Sequence, residues 1–350
     1  MRKIGIIIVN YKDYAEKFLS ECKNSLDNQT FPKDQFQVYI VDNASTESSL
    51  NYLESHFKDA KVLPRPDGNF SAANNLGAQK AIEDECEIII ALNMDVVLDE
   101  DWLKNLVEQV ESNKEGIYQS KMLLHSNKEL VNSEGNLFHY LGFGFTDGYN
   151  KLNDKDESEI KELKGYVSGC AIAFHKDVYE KLGGWNEEYY MYHDDLEMGW
   201  KAKLLGIKSY LVPNSIVYHK YEFSRSVQMV YYMERNRYLA ILHFYKWQTI
   251  IIFLPILIVL DLAMWLYSII GGWGFQKLKV FLYFIRITSW KKIFQTRKKV
   301  QTIRKTTDKQ ILNSFEGKVL FQEINNPILQ YFGNPIMNLY LKLAKKVIFW

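Results

Sequence analysis

The first 120 residues alternate between short apolar runs and segments with helical spacing, and this alternation limits the fold more than any other feature of the chain. The runs at 6–9 and 38–41 are continuously apolar, which is typical of strands buried on both faces. Helices are predicted at 14–26, 48–56 and 71–83, and further strands at 62–63 and 87–92. This order predicts an α/β fold, with a mostly parallel sheet flanked by helices.

The chain of 350 residues is long enough for two domains, or for one large domain with an appendage. We predict three parts, at 1–120, 121–247 and 248–350. The second part is mixed in character and dense in Tyr, Trp and Gly, whereas the third opens with a long apolar run.

That apolar run, at 249–270, holds 22 residues with one charge, Asp261. At about 1.5 Å per residue, a helix of this length could cross a hydrocarbon core of about 30 Å. Residues 276–309 then contain eleven Lys or Arg against one acid, Asp308. An apolar run beside a basic block predicts attachment to an anionic membrane surface. The net charge of +1 gives no general attraction to nucleic acid, which is not expected as a partner.

The sequence leaves the form of the attachment open. A single crossing would put the basic block opposite the N-terminal part, against the positive-inside tendency if that part is cytosolic. A re-entrant or interfacial helix would keep both on the cytoplasmic side, and a buried core helix is a further alternative. The scattered cysteines Cys22, Cys86 and Cys170 indicate a reduced, cytosolic chain. The apolar run that ends at Asn10 is too short for a signal peptide.

Polar residues follow three of the predicted strands at the point where each strand ends. They are Asn10, then Asp42 with Asn43, then Asn93 and Asp95. Ligands of such sheets collect at the carboxyl ends of strands, so these residues are predicted to face one crevice. The Asp95 carboxylate suits Mg²⁺ or Mn²⁺ bridging phosphates, or it caps the following helix. Asp42 either points into the crevice or builds an Asx turn before a capped helix.

The stretch at 183–206 is the most unusual, because an aromatic-rich approach ends in adjacent acids and a helix follows. Burial and mutual repulsion of Asp194 and Asp195 can raise the pKa of one carboxyl, which is how a general base is tuned. The alternative is that the acids are there for the helix dipole alone.

Three further stretches offer binding groups, each with a structural alternative. The small residues at 69–81, which include Asn75, would let a phosphate or sugar approach a helix N-terminus, or they only pack against the sheet. His219 follows a strand-like run, where a lone histidine is more often structural. Arg235 and Asn236 offer a cation and an amide to a phosphate or acceptor, or they belong to a solvated helix face.

Together these stretches resemble the family 2 glycosyltransferases, the inverting GT-A enzymes, and in particular their rhamnosyltransferase-like branch. The resemblance covers residues 3–240. It depends on the order and spacing of IIIVNYKD, VDNASTE, NFSAANNLG, ALNMD, VSGCAIAFHKDVYEKLGGWNEEYYMYHDDLEMGWKAKLLG, VYHKYEFS and ERN. It implies a Rossmann-like GT-A sheet with a helical, membrane-associated C-terminal region. The part at 1–120 would bind the nucleotide sugar, and the part at 121–247 the acceptor.

The resemblance implies roles residue by residue. Asp195 matches the catalytic base and Asp194 the acid before it. Asp95 matches the metal-binding acid of a DXD-like motif, and His219 a histidine that assists the metal or diphosphate. Trp185 and Asn186 match the acceptor side. The residues predicted to contact donor or acceptor are Asn10, Asp42, Asn43, Asn75, Asn93, Trp185, Asn186, Arg235 and Asn236.

The implied reaction moves a sugar from a nucleotide donor to a hydroxyl of a lipid-linked glycan or surface polysaccharide. Asp195 would take the proton from the acceptor, and Mg²⁺ or Mn²⁺ would stabilise the leaving diphosphate. Three positions depart from the family pattern: Asn69 replaces a Gly, Met94 replaces a Pro, and Glu222 replaces the Gly of a His-x-x-Gly-x-Ser pattern. The last puts the role of His219 in doubt.

Two other classes of protein are alternatives to this interpretation. A nicotinamide-dependent oxidoreductase is disfavoured because no G-x-G-x-x-G follows the first strand. An inactive sugar-nucleotide-binding or scaffold protein at the membrane is the remaining alternative. The changed surroundings of His219 favour it, whereas the intact Asp42, Asp95 and Asp195 argue against it.

Overall fold

The computed structural model describes residues 3–154, 156–221, 230–320 and 326–350. Its N-terminal elements follow the predicted order closely. They are β1 (Ile4–Tyr11), α1 (Tyr14–Asp27), β2 (Phe36–Asn43), α2 (Glu47–His56), β3 (Lys61–Arg65), α3 (Phe70–Glu83) and β4 (Ile88–Leu92). Each predicted helix and strand of this region is confirmed, with small shifts at the ends.

The next elements bring in antiparallel strands and short helices. They are β5 (Val96–Leu98), α4 (Trp102–Ser112), β6 (Ile117–Leu124), β7 (Asn127–Ser133), β8 (Asn136–Phe138), β9 (Gly144–Thr146), β10 (Lys161–Glu162), β11 (Ala171–His175), α5 (Lys176–Leu182), α6 (Asp194–Leu205) and β12 (Ser209–His219).

One large sheet has the strand order β10-β12-β6-β11-β4-β1-β2-β3, with β5 on β12 and β7 on β6. Strands β4, β1, β2 and β3 are parallel to one another. Strand β11 runs antiparallel between β4 and β6, and β12 is parallel to β6. The predicted α/β fold with a mostly parallel sheet is therefore confirmed.

The chain forms two compact units, and the first, Met1–Asn136 with Thr146–Gly199 and Ile207–Tyr221, holds the large sheet. All eight residues of β2 are buried, as the continuous apolar run predicts. Helix α3 packs closely on the sheet through small residues: a Cβ added to Gly77 would lie 2.5 Å from Cγ2 of Ile7. This close packing is the structural use of the small residues at 69–81.

The second unit, Leu137–Phe145 with Trp200–Gly206 and Glu222–Trp350, is helical over most of its described length. Trp200 lies at its core, with ring centroids 4.8–5.2 Å from those of Phe244, Tyr245 and Phe315. The helices are α7 (Val230–Phe244), α8 (Trp247–Ile270), α9 (Gly274–Ile285), α10 (Ile287–Ile303), α11 (Asp308–Leu312) and α12 (Asn334–Val347), with a π-helical turn at Leu329–Gly333.

These compact units do not follow the three predicted parts. The predicted boundary after residue 120 falls inside strand β6, and the one after 247 falls at the first residue of α8. The functional division into 1–120, 121–247 and 248–350 stays a prediction.

Helix α8 contains the predicted apolar run. Within the described ranges it is the one helix long and apolar enough to cross a membrane, with a mean hydropathy of 2.5 over its most apolar stretch. Only 22% of that stretch is buried, which argues against the alternative of a core helix.

Candidate active site

The ends of β1 and β2 place Asn10 beside Asp42, since the two residues are partners in the parallel register. The Asn10 side-chain amide donates to Asp42 Oδ1 at 2.7 Å, and the Ser49 hydroxyl donates to Asp42 Oδ2 at 2.6 Å. Asn10 Oδ1 accepts from the Ala15 N–H at 2.9 Å. Both oxygens of the fully buried Asp42 are thus used within the chain. This is the turn-building role, and contact of Asn10, Asp42 or Asn43 with a nucleotide stays a prediction.

Each of these strands is followed by a residue in the left-handed conformation, which is uncommon for residues other than glycine. Lys12 after β1 has φ 55°, and Ala44 after β2 has φ 62°. Thr46 then caps α2 in a reciprocal capping box with Ser49. Strained backbone of this kind concentrates where a structure must hold a binding loop in one shape.

Asp95 lies between β4 and β5, where three elements meet. The Tyr14 hydroxyl on α1 donates to Asp95 Oδ2 at 2.6 Å. Nε2 of His219, the last residue of β12, is 3.6 Å from Asp95 Oδ1, and its Nδ1 is 2.8 Å from the side-chain oxygen of Asn132. Burial lowers the pKa of His219, but Cys170 and Asp95 outweigh it and raise the pKa to about 10.

The Asp95–His219 pair fits a divalent cation only in part. Two adjacent ligands of a cation with bonds of about 2.1 Å lie about 3 Å apart, close to the 3.6 Å seen here. The described ranges contain no group of three or more His, Cys, Asp or Glu that could hold a metal. The pair therefore suits a cation such as Mg²⁺ or Mn²⁺ whose remaining ligands come from a diphosphate.

Asp194 and Asp195 begin helix α6, where Asp194 is buried and Asp195 is half-buried. Asp195 Oδ1 accepts a short hydrogen bond, 2.7 Å, from the Leu196 N–H. Its Oδ2 has longer contacts, 3.4 Å to the Gly169 N–H and 3.5 Å to the Asn136 side-chain amide. Burial raises the pKa of both carboxyls, and the charge of Asp195 raises that of Asp194 further. This is the tuning expected of a general base.

A short segment joins the two acidic sites. The Gly169 N–H points to Asp195, and the carbonyl of the next residue, Cys170, accepts from the Asn93 N–H at 2.8 Å. Cys170 also lies beside His219, where it raises the pKa of the imidazole. Asp195 and the Asp95 pair therefore flank one stretch of backbone, and the sequence-predicted base and metal site are brought together.

The loop before α6 is held by the start of α3. Asn75 Oδ1 accepts from the Tyr179 hydroxyl at 3.0 Å and from the Trp185 N–H at 2.9 Å. Its amide donates to the Trp185 carbonyl at 2.9 Å and to Glu187 Oε1 at 3.0 Å. Asn75 therefore organises this loop, and direct contact with a substrate stays a prediction.

Asn69 contributes to the same attachment, with its amide donating to the Glu187 carbonyl at 3.0 Å. It also caps α3 by accepting from the Ala72 N–H. Its φ is −76°, so no left-handed residue is needed there, and the preceding Gly68 takes the left-handed conformation instead. The replacement of the family's usual glycine at 69 is thus structurally mild.

The aromatic approach itself is partly buried. Trp185 is 4% exposed and packs between Phe174 and Tyr179, with ring centroids 5.8 Å apart in each case. If Trp185 contributes to an acceptor site, it does so indirectly, by supporting neighbouring residues. Asn186 Oδ1 accepts from the Glu188 N–H at 3.1 Å, an Asx turn.

Arg235 and Asn236 lie on α7 in the second unit. Both are buried, so the alternative of a solvated helix face is wrong. The Arg235 guanidinium donates to Asn236 Oδ1 at 2.8 and 3.0 Å. Their predicted contact with a phosphate or acceptor stays untested, and Glu222 lies outside the described residues.

Three residues of this site were missed from the sequence. Tyr14 holds Asp95, and Asn136 approaches Asp195. Tyr166 is buried next to the acidic pair: burial, then the charges of Asp195 and Asp194, raise the pKa of its hydroxyl. None of the three lies in a motif with a chemical role of its own. The sequence offers one indication, which is that Tyr166 directly precedes the VSGC stretch.

A mostly parallel sheet whose carboxyl edge carries aspartates and a histidine defines an α/β protein with a ligand crevice at that edge. Residues 5–183 match the family described as glycosyl transferase family 2. The match covers more than half of the 350 residues, so the chain belongs to glycosyl transferase family 2.

Three curated relatives show how the chain relates to whole proteins. It is 24% identical to the O-antigen biosynthesis protein RfbC of Myxococcus xanthus, over 64% of this chain and 18% of that protein. It is 24% identical to the low-salt glycan biosynthesis hexosyltransferase Agl10 of Haloferax volcanii, over 68% and 75%. The rhamnosyltransferase WbbL of Escherichia coli is 21% identical, over 60% and 80%. The chain thus spans a small part of RfbC and most of the other two.

Two solved structures share the fold. GalNAc-T7, solved with UDP, GalNAc and Mn²⁺, aligns with a TM-score of 0.55 at 17% identity, over 67% of this chain and 47% of that one. TarS of Staphylococcus aureus aligns with a TM-score of 0.50 at 17% identity, over 99% and 55%. The predicted GT-A fold is confirmed.

Proposed function

We propose that this chain transfers a sugar from a nucleotide-activated donor to a hydroxyl of a lipid-linked glycan or surface polysaccharide. The relatives named for glycan biosynthesis, O-antigen biosynthesis and rhamnosyl transfer support this class of acceptor. The observation that carries the proposal is the backbone at Gly169 and Cys170, which Asp195 flanks on one side and Asp95 with His219 on the other. We place the reaction at the cytoplasmic side of the membrane.

Asp195 is the general base in this proposal. Its Oδ1 is held by the Leu196 N–H, while among the described residues Oδ2 has only contacts of 3.4–3.5 Å, and we assign Oδ2 to the acceptor hydroxyl. Its raised pKa brings the carboxyl nearer to the value at which proton uptake is efficient. A single displacement with Asp195 opposite the leaving group inverts the anomeric centre.

The leaving group is assigned to the other side of the segment, at Asp95. His219 and Asp95 would hold a divalent cation, Mg²⁺ or Mn²⁺, which when bound would neutralise charge on the departing nucleoside diphosphate. Tyr14 orients the carboxylate through its 2.6 Å hydrogen bond. Asn10 and Asp42 fix the loops after β1 and β2, against which the nucleotide is proposed to bind.

The test is release of nucleoside diphosphate from a panel of nucleotide sugars, with membrane extract supplying acceptors and with Mg²⁺, Mn²⁺ or chelator. We expect one donor to be consumed in a metal-dependent manner. Asp195→Asn should lower kcat by about 10²–10⁴-fold, the usual contribution of a general base. Donor affinity should stay within a few-fold, because Asp195 is assigned to the acceptor.

Asp59→Asn is the matched control, since Asp59 is an exposed aspartate of the first unit. It should turn over like the wild type. Binding of a donor without turnover in any extract would instead support an inactive sugar-nucleotide-binding protein. Full turnover by Asp195→Asn would remove Asp195 from the mechanism.

A further inference from the structure

The one charge of helix α8 is bound to its neighbours. Asp261 Oδ1 lies 2.6 Å from the Lys277 ammonium on α9 and accepts a hydrogen bond from the Tyr238 hydroxyl on α7. Lys277 is also 2.7 Å from Glu234 Oε2 on α7. Glu234 pairs in turn with Arg237 at 3.0 Å.

This network contains two anions and two cations, and Glu234, Arg237 and Lys277 are almost fully buried. Although burial raises the pKa of Glu234, Arg237 and Lys277 lower it to about 2, so the carboxylate remains charged. Removing one member would leave a buried charge without its partner, which is strongly unfavourable. The Asp261 side of α8 is therefore fixed against α7 and α9.

The side of α8 that faces away from Phe253 and Leu257 carries an exposed apolar stripe, and Asp261 lies between this stripe and the packed side. Its members recur at intervals of three or four residues, which places them on one face of the helix. Their exposed fractions lie between 48% and 69%: Ile251, Leu254, Ile258, Leu262, Leu266 and Ile269. The helix is thus apolar toward solvent and packed on the other face through residues such as Phe253 and Leu257.

The neighbouring helix α12 also has an exposed apolar face. Helix α12 packs against α8, and the Tyr340 hydroxyl donates to the Ile252 carbonyl at 2.5 Å. Its own exposed apolar residues follow the same spacing: Ile336, Leu339, Leu343 and Val347. Exposed apolar area of this kind marks an interaction site.

The surrounding charge identifies the partner. Residues 262–307 contain ten Lys or Arg and no Asp or Glu. Six of these cations are exposed on or beside α9 and α10: Lys279, Arg286, Lys291, Lys292, Lys298 and Lys299. A surface of one sign repels a second copy of itself, whereas anionic lipid headgroups complement it.

We propose that α8, α9, α10 and α12 seat the chain in the plane of an anionic bilayer, and that α8 does not cross it. The stripe of α8 enters the acyl boundary while the exposed lysines meet the headgroups. A crossing would carry the Asp261 network and its helices α7 and α9 into hydrocarbon, where charged side chains are costly. The inference rests on the proposed membrane location of the transferase and specifies its form.

The first test is flotation of the full chain with vesicles of phosphatidylcholine, alone or mixed with phosphatidylglycerol. We expect flotation with the anionic vesicles, weakened by salt. Leu262→Ser with Leu266→Ser should lower vesicle affinity at least about tenfold. Leu152→Ser is the matched control, because Leu152 is an exposed leucine of the first unit. Absence of flotation, or equal flotation of the Leu262/Leu266 variant, would overturn the inference.

The second test separates lying in the membrane from crossing it. Lys246→Cys precedes α8 and Lys279→Cys lies on α9, and the native Cys22, Cys86 and Cys170 are buried. With protein bound to sealed vesicles, an impermeant maleimide should label both introduced cysteines from outside. Protection of one until the vesicles are lysed would show a crossing and refute the proposal. Neither readout needs turnover, so the transferase assay can fail or succeed independently.

Discussion

Aspartates predicted for one site lie at the edge of β1 and β2 and at the start of α6. The carboxylates in the two regions differ in how they are hydrogen bonded. Asp42 is fully buried and accepts two short hydrogen bonds, from Asn10 and Ser49. Asp195 is half-buried with one short bond, and its second oxygen has contacts of 3.4–3.5 Å. The difference supports the proposal that Asp42 has a structural role and that Asp195 exchanges a proton, because the environment of Asp195 disfavours its charged form.

Asp95 sharpens this comparison, since its hydrogen bond from Tyr14 is as short as those of Asp42. We expect Tyr14→Phe to lower kcat/KM about 10–100-fold, the usual cost of losing a group that orients a metal ligand. The loss should shrink at high Mn²⁺, which a base defect would not do. Tyr52→Phe on α2, where the Tyr52 ring stacks on His56, is the control. A metal-independent loss in Tyr14→Phe would separate Asp95 from the cation.

Asp42→Asn tests the support role directly. The new amide cannot accept from both Asn10 and Ser49, so a buried donor loses its acceptor. We expect the free energy of unfolding in urea to fall by about 1.5–3 kcal/mol, the range for a hydrogen bond to a charged group. Turnover per folded molecule should change little. A large loss of kcat at unchanged stability would instead assign Asp42 to the chemistry.

The acidic limb of the pH–rate profile tests the role of Asp195 at the start of α6. Burial raises the pKa of Asp195 to about 6, opposed by the Leu196 and Gly169 N–H groups. A base must be ionised, so kcat/KM should fall about tenfold per unit as pH drops below that value. In Asp194→Asn the limb should persist. A rate that is flat to about pH 5 would contradict the assignment, and loss of the limb in Asp194→Asn would make Asp194 the base.

The sequence predicts the sheet and the acids well because both depend on local patterns. The continuous apolar runs identify β1 and β2, and polar residues at their ends mark the carboxyl edge. The antiparallel insertion of β11 between β4 and β6 has no local signal, because strand order depends on packing of the whole sheet.

Partners far apart in the chain were missed for the same reason. Tyr14 and Asp95 are 81 residues apart, and Asn136 and Asp195 are 59 apart. No spacing rule connects such pairs. Asn75 was predicted as a binding residue from its small neighbours, whereas its hydrogen bonds hold the loop at Trp185. Polar residues near a site are thus identified by motif, but the bonds that use them are seen only in the fold.

The smallest expected effect is on stability, and it contrasts the start of α6 with the edge of β1 and β2 most directly. An Asp→Asn substitution should stabilise the fold at Asp194 but destabilise it at Asp42. Burial and the charge of Asp195 raise the pKa of Asp194 in the folded state above the ordinary value, about 3.9, of the unfolded chain. As pH rises through that window the unfolded state releases this proton first, so the wild type loses stability. Asp194→Asn carries no charge, so we expect it to be more stable than the wild type by about 0.5–2 kcal/mol near pH 8.

That gain should shrink as pH falls toward about 4 and disappear below it, where Asp194 becomes protonated in both states of the wild type. Urea unfolding of the wild type, Asp194→Asn and Asp42→Asn at both pH values measures it. If Asp194→Asn were destabilised near pH 8, as Asp42→Asn is expected to be, both regions would hold their carboxylates in the same way. The raised pKa of Asp194 would then be wrong, since a carboxylate that stabilises the fold when charged has its pKa lowered rather than raised.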